Sequence, residues 1–284
     1  MPDLAFSADL PAPEILASAL SDRLAAFRRI DWTAVTGSTN ADLLARARAA
    51  APGQKPWLLG AHQQESGRGR AGRPWKNRAG ATLMFSCAFD VHLPVASLAA
   101  LSPLAGMAAC EGLRVLAGPG ASRLGVKWPN DVQWREAKLA GVLVESVRNA
   151  GRPETGHTVV VGVGVNLRDA AELSLALQRP VADWTQVAAQ SGAPGAEPAD
   201  LVCAIASALH AAIGQAQELI ADGFAARYAR VDALAGRAVN VLDQGSVVHS
   251  GVAQGIDEQG RLRVATSSGT LPITVGEISI RQQA

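Results

Sequence analysis

The spacing of hydrophobic and polar positions divides the chain into two unlike parts. Residues 13–29 carry a helical pattern, and residues 30–35 alternate like a short strand. Thr39-Asn40-Ala41-Asp42 reads as a capping-box-like start, with Thr39 at the N-cap and Asp42 at N3, opening a helix to about residue 50. Residues 57–64 and 82–89 read as strands, and residues 98–116 as a helix apolar enough to be buried. A strand over 124–128 ends in the turn Pro129-Asn130-Asp131, and 132–134 begin the next. Residues 139–147 and 158–167 are Val-rich and scarcely alternate, the pattern of strands buried on both faces. Residues 191–198 read as a loop, 199–220 as a helix with a wide apolar face, and 224–231 as a short one.

After Leu234 the pattern changes to short strands broken by Asp243-Gln244-Gly245, Asp257-Glu258-Gln259-Gly260 and Ser267-Ser268-Gly269, as in a small all-β barrel. These shifts predict an N-terminal helical extension over 1–30, a large α/β domain over 31–233 and a small β domain over 234–284. One helix in the first 30 residues is too little for a separate DNA-binding domain.

Composition narrows the function classes. The chain has 284 residues, 48% hydrophobic and 18% charged, which fits a globular protein rather than a disordered one. A net charge of +1 argues against a general nucleic-acid binder, so DNA binding is not expected. Cys87, Cys110 and Cys203 are far apart, which disfavours disulfides or a cysteine zinc site and fits a reducing compartment. The five histidines are equally scattered. No membrane span or basic secretory n-region is read, so a cytoplasmic location is expected.

Against this near-neutral background one stretch stands out: Gly67-Arg68-Gly69-Arg70-Ala71-Gly72-Arg73-Pro74-Trp75-Lys76-Asn77-Arg78. Between Ser66 and Phe89 there are five cationic side chains and no acidic one. The three glycines are expected to take positive φ and let backbone N–H groups approach a ligand, and the arginines supply planar forks for carboxylate or phosphate. Gly67-x-Gly69-x-x-Gly72 formally matches a dinucleotide fingerprint, yet Pro74 and a strand at Thr82 leave no room for the helix it requires. A Walker A motif is absent. Lys127 and Lys138 flank strands, Glu145 interrupts an apolar run, and Asn166 closes Gly162-Val163-Gly164-Val165. Each lysine alone also fits a solvated strand end; together with the arginine loop they suit a ligand crevice.

Taken in order, Ser38-Thr39-Asn40, Gln64, the Gly67–Trp75 run, Lys127-Trp128-Pro129-Asn130-Asp131, Lys138-Leu139-Ala140-Gly141-Val142-Leu143-Val144-Glu145, Gly162–Asn166 and Gly276-Glu277-Ile278-Ser279-Ile280-Arg281 resemble bacterial biotin protein ligases over about residues 31–284. The chain looks like their short form, without the N-terminal DNA-binding domain. The resemblance implies a mixed-sheet α/β catalytic domain of the biotin/lipoate ligase type and a C-terminal SH3-like barrel. It implies formation of biotinyl-5′-AMP from biotin and Mg-ATP, then transfer of biotin to a lysine of the biotin carboxyl carrier protein. Related enzymes occur as monomers and as homodimers. Lipoate ligases and octanoyl transferases share the catalytic fold but lack the glycine–arginine run as it stands here.

On that resemblance, Ser38, Thr39, Asn40, Gln64, Arg68, Gly69, Arg70, Lys138 and Gly141 are expected to bind biotin. Arg70, Arg73, Trp75, Lys127, Asn130, Lys138, Asn166 and Arg281 are expected at ATP, with Trp75 under the adenine and Asn166 at a ring edge. Trp75 also fits a core anchor. Lys138, Arg68 and Arg70 are expected to neutralise charge where the biotin carboxylate meets the α-phosphate. Asp131 is expected to place the acceptor lysine or the Mg2+, though it also fits a plain Asn-Asp turn. Arg73, Lys76 and Arg78 are expected in loop closure or carrier docking.

Overall fold

The computed structural model describes residues 10–50, 53–75, 79–148, 156–192, 195–275 and 279–282. The elements run α1 (Pro13–Arg23), β1 (Arg29–Thr36), α2 (Thr39–Ala49), β2 (Trp57–Gln64), β3 (Thr82–His92), α3 (Leu101–Leu116), β4 (Leu124–Lys127), β5 (Asp131–Trp134), β6 (Ala137–Arg148), β7 (Gly156–Asn166), α4 (Ala170–Leu177), α5 (Trp184–Ser191), α6 (Pro198–Gly214), α7 (Ala216–Ala221) and α8 (Phe224–Tyr228). Then come β8 (Ala238–Asp243), β9 (Ser246–Ile256), β10 (Leu262–Thr266), β11 (Gly269–Ile273) and β12 (Ser279–Gln282).

The first seven strands form one mixed sheet in the order β1-β2-β3-β7-β6-β5-β4. Only the β1–β2 pair is parallel. The two-faced burial expected of residues 139–147 and 158–167 holds for β7, which is buried almost throughout, but not for β6, whose second half is half-buried or exposed. The two faces of β3 and β7 differ. Leu83, Phe85, Cys87 and Phe89 of β3, with Val159, Val161, Val163 and Val165 of β7, join the main core beneath α1, α3 and α6. The opposite face carries a smaller cluster under α2, formed by Leu43, Leu44, Trp57, Leu59, Ala88 and Val160. Beyond α2 this second face presents Gly141, Gly162 and Gly164, which leave space above the sheet.

The C-terminal strands form a five-stranded antiparallel sheet in the order β11-β10-β9-β8-β12. Val239, Val241, Ala253, Leu262 and Val264 belong to the same apolar cluster as α3 and α6, so the small β domain is packed onto the large one.

Several expectations need correction. The N-cap of α2 is Ser38, whose hydroxyl accepts from the Ala41 N–H at 3.4 Å; Thr39 is already helical. The helix expected over 13–29 ends at Arg23, before β1. The helix expected over 199–220 breaks at Gln215, after Gly214. Helices α4 and α5 were not expected; α5 starts where the Asp183 carboxylate caps the Gln186 N–H at 2.9 Å and stops at the left-handed Gly192. Residues Val95–Leu116 are long and apolar enough to cross a membrane by length and composition alone, but most of that stretch is buried inside the fold, as expected of residues 98–116.

Candidate active site

A cleft of about 660 Å³ lies on the open face of the large sheet. Every expected site residue lines it except Asn166. The expectations for Lys76, Arg78 and Gly276-Glu277-Ile278 lie outside the described residues.

One end of the cleft is a neutral hydrogen-bonded ladder. The Oε1 of Gln64 accepts from the Thr39 backbone N–H at 2.8 Å and lies 3.1 Å from its hydroxyl. The Thr39 hydroxyl lies 2.7 Å from that of Ser86, which donates to Asn40 Oδ1 at 2.6 Å. Asn40 in turn donates to Glu145 at 2.8 Å, so the carboxylate that interrupts β6 has its partner. Four elements supply these groups: the N-terminus of α2, the end of β2, the centre of β3 and, through Glu145, β6. Asn40 fits over the sheet only because position 162 is glycine; a Cβ there would come 2.3 Å from its Oδ1. Ser86 escaped the sequence reading, although a lone hydroxyl inside the buried run Leu83-Met84-Phe85-Ser86-Cys87 was a usable signal.

The other end is cationic. Lys138 donates to Asp131 at 2.5 Å. Lys127 sits close by, and burial lowers its pKa; Lys138, Arg179 and Arg281 add to the lowering while Asp131 opposes it. Arg179 also lines the cleft, and no feature of the sequence singled it out. Asp131 is the one carboxylate lining the cleft among the described residues, so the cations outnumber it. Such a site is an electrostatic trap for anions.

The glycine–arginine segment folds back as a small hairpin. Trp75 N–H donates to Gly67 O at 2.9 Å, and Gly69 N–H to Arg73 O at 2.8 Å. Gly72 has φ +65, but the other left-handed residue is Ala71 at φ 53; Gly67 and Gly69 are not in that region, contrary to expectation. From the hairpin Arg70 reaches Asn130 Oδ1 at 3.3 Å, while Arg68 and Arg73 are exposed at the rim. Burial lowers the pKa of Arg70, with Asp131 opposing and Arg73 adding to the shift. Asn130 is itself fixed by donating to Val142 O. Trp75 lies over the sheet at Gly141 and Gly164, with the Lys138 ammonium 5.3 Å from its ring centroid.

Asn166 is placed differently from its expected role at an adenine edge. It is buried and donates to Lys138 O at 3.2 Å and Ala182 O at 3.1 Å. It therefore pins the segment after α4 to the backbone of Lys138. Nor do the described residues assemble a metal cage: no group of three or more His, Cys, Asp or Glu comes together, and Asp131 is engaged by Lys138.

Residues 32–166 match the biotin/lipoate A/B protein ligase family, and residues 235–281 the biotin protein ligase C-terminal domain. The chain is 33% identical over 265 residues to the biotin–[acetyl-CoA-carboxylase] ligase of Mycobacterium tuberculosis, covering 89% of each protein. It is 34% identical over 254 residues to the biotin–[acetyl-CoA-carboxylase] ligase of Paracoccus denitrificans, covering 86% of this chain and 97% of that one. The biotin protein ligase of Aquifex aeolicus, solved in complex with biotin and ATP, shares the fold at a TM-score of 0.68 and 23% identity, covering 90% of this chain and 100% of that one. With that coverage and identity, and a cleft lined by the residues that carried the resemblance, the chain belongs to the biotin protein ligase family.

Proposed function

We propose that this protein joins biotin to ATP, forming biotinyl-5′-AMP and pyrophosphate, and then transfers the biotinyl group to a lysine of the biotin carboxyl carrier protein. The observation that carries this reading is the division of one cleft into a neutral hydrogen-bonding end and a cationic end. A ureido ring needs both donors and acceptors, which Ser38, Thr39 and Gln64 supply. The carboxylate of the same ligand would then point toward Arg68, Arg70 and Lys138.

In the first step a biotin carboxylate oxygen attacks the α-phosphorus of ATP. A bond forms between them, the α–β phosphoanhydride bond breaks, and pyrophosphate leaves. Two unit anions about 4 Å apart repel by roughly 4 kcal/mol at an effective dielectric of about 20. Arg70 and Lys138 offset that repulsion before the reactants meet, as preorganised charges that need no rearrangement. Lys127, Arg179 and Arg281 hold the departing phosphates. Mg2+ would enter with ATP as part of the substrate and supply further neutralisation of the phosphate charge. In the second step the neutral acceptor amine attacks the acyl carbon, an amide bond forms as the acyl–phosphate bond breaks, AMP leaves, and the nitrogen's surplus proton passes to solvent. Asp131, at the mouth of the cationic end, accepts a hydrogen bond from that amine.

The test is isotope exchange between ATP and pyrophosphate, followed by label transfer to a carrier domain. Exchange that requires biotin and is not supported by lipoate or octanoate is expected. Exchange supported by lipoate, or running without biotin, overturns the assignment.

A further inference from the structure

The small β domain touches the cleft at its rim through Arg281 and Gln244. Its firmer tie to the large domain is elsewhere. The turn between β9 and β10 is seated in a notch formed by the start of α3 and by α8. Gly260 in this turn has φ +73, and a Cβ there would lie 2.8 Å from Pro103 and 3.1 Å from the Phe224 ring. The turn is ordered by Asp257, whose carboxylate accepts from Gln259 N–H at 3.1 Å, Arg261 N–H at 2.9 Å and the Arg261 side chain at 2.7 Å.

Three hydrogen bonds join this turn to the large domain. Glu258 accepts from the N–H groups of Phe224 at 2.8 Å and Ala225 at 3.2 Å, where α8 has no side-chain cap of its own. The Trp128 indole N–H donates to Gly260 O at 2.9 Å, with Trp128 only 2% exposed. A buried indole N–H or carbonyl left without its partner is destabilising, so this bond fixes the ring firmly.

Trp128 directly precedes residues 129–131, which hold both polar partners of the cationic end. Asn130 receives Arg70, and Asp131 receives Lys138. The segment is pressed from behind by α3, where a Cβ on Gly106 would lie 3.0 Å from Pro129 O. Its position is thus set by α3 on one side and, through Trp128, by the β9–β10 turn.

We infer that the β9–β10 turn is a positioning element for the adenylation step, acting through Trp128 on residues 129–131 and hence on Arg70 and Lys138. Glu258 and Trp128 touch no reacting atom; they are positioning residues. This inference rests on the adenylation reading above, and it assigns the small domain a part in the chemistry that does not pass through Arg281.

The experiment compares the full-length wild type with Trp128→Phe, Glu258→Ala and Glu258→Gln. Wild-type biotin-dependent exchange establishes the reaction independently of the variants. Trp128→Phe and Glu258→Ala are expected to lower the turnover of exchange by roughly 10- to 100-fold, the range produced by a misplacement of about 1 Å or less. Biotin affinity measured by calorimetry without ATP is expected to stay within about twofold, because the Thr39–Gln64–Ser86 end does not depend on the turn. Glu258→Gln keeps a carbonyl acceptor for α8 and is expected to restore most of the turnover. Wild-type turnover in Glu258→Ala, or a parallel loss of biotin affinity and turnover that Glu258→Gln does not relieve, overturns the inference.

Discussion

Lys138 and Asp131 face each other because of a bulge. Asp131 pairs with Gly141 and Val132 with Ala140, but Gln133 then pairs with Lys138. In an unbroken register Lys138 would oppose Trp134 and project from the other face of the sheet, since side chains alternate strictly. The bulge shifts it by one residue, onto the face of Asp131 and Gly141. Its ammonium then lies 2.5 Å from Asp131 and would lie 3.1 Å from a Cβ on Gly141. A local break in strand pairing thus aims the lysine into the cleft.

This pairing makes the two residues non-additive. Lys138→Ala removes a cation from the cleft and leaves Asp131 facing incoming phosphates alone. We expect adenylation to fall by at least about 10²-fold, the cost of losing one preorganised stabilising group. Asp131→Asn keeps the lysine charged but loosens its aim, with a smaller loss expected. The double variant should bind ATP more tightly than Lys138→Ala, because the uncompensated carboxylate is gone. Pyrophosphate exchange and ATP affinity across the four proteins measure this coupling; strict additivity would contradict it.

Lys127 gives a pH dependence with a definite sign. Burial and the neighbouring cations hold its folded pKa below the ordinary 10.5. Between the depressed value and 10.5 the unfolded chain binds more protons, so stability contributed by this group rises with pH there. Below that window its charge is a standing cost to the free protein. Lys127→Met should therefore raise the thermal midpoint at neutral pH, and the gap to wild type should narrow as pH climbs through the window. The same variant should raise the KM for ATP by roughly tenfold, since a phosphate-binding charge is lost. Thermal scans over pH, together with ATP titrations, test both halves.

Arg70 is one of the contacts by which the glycine–arginine hairpin closes on the floor, through Asn130. Arg70→Gly removes that contact and the guanidinium together. The adenylate should then leave the site about 10- to 100-fold faster, given about 1.5–3 kcal/mol for a charged hydrogen bond. The check is the amount of free biotinyl-AMP per pyrophosphate released without carrier; retention equal to wild type would show that Arg70 does not close the site.

The strands of the large sheet were legible because their apolar runs are long, and the cleft-lining residues because the glycine–arginine run and the motifs that carry the family resemblance mark them. What stayed hidden depends on pairing. The bulge that aims Lys138 leaves no mark in the sequence, since it is a relation between two strands. Ser38 and Thr39 are adjacent and chemically alike, so only geometry separates the cap from the residue bonded to Gln64. Helix α5 is short, but its Asp183-Trp184-Thr185-Gln186 start and Gly192 stop were readable signals. Asn166 was placed at the ligand on the strength of its position at a strand end, where the structure has it holding two carbonyls.

Gly162 and Gly164 face the cleft two residues apart on β7, and they keep open different ends of it. Gly162 pairs with Ser86 and lies under Asn40, in the neutral ladder. Gly164 pairs with Met84 and Gly141, and a Cβ there would lie 2.5 Å from the Trp75 ring. Neither glycine has positive φ, so alanine is compatible with the backbone and only the lack of space opposes it. Gly162→Ala should displace Asn40, disturb its bonds to Ser86 and Glu145, and weaken biotin binding by about tenfold or more, consistent with the roughly 1–3 kcal/mol of overpacking. Gly164→Ala should instead lift Trp75 away from the sheet, with the larger loss in the KM for ATP. Biotin calorimetry and ATP-dependent exchange on the two variants should therefore give opposite orders of severity. The same order in both measurements would mean that the two ends of the cleft are not separate subsites.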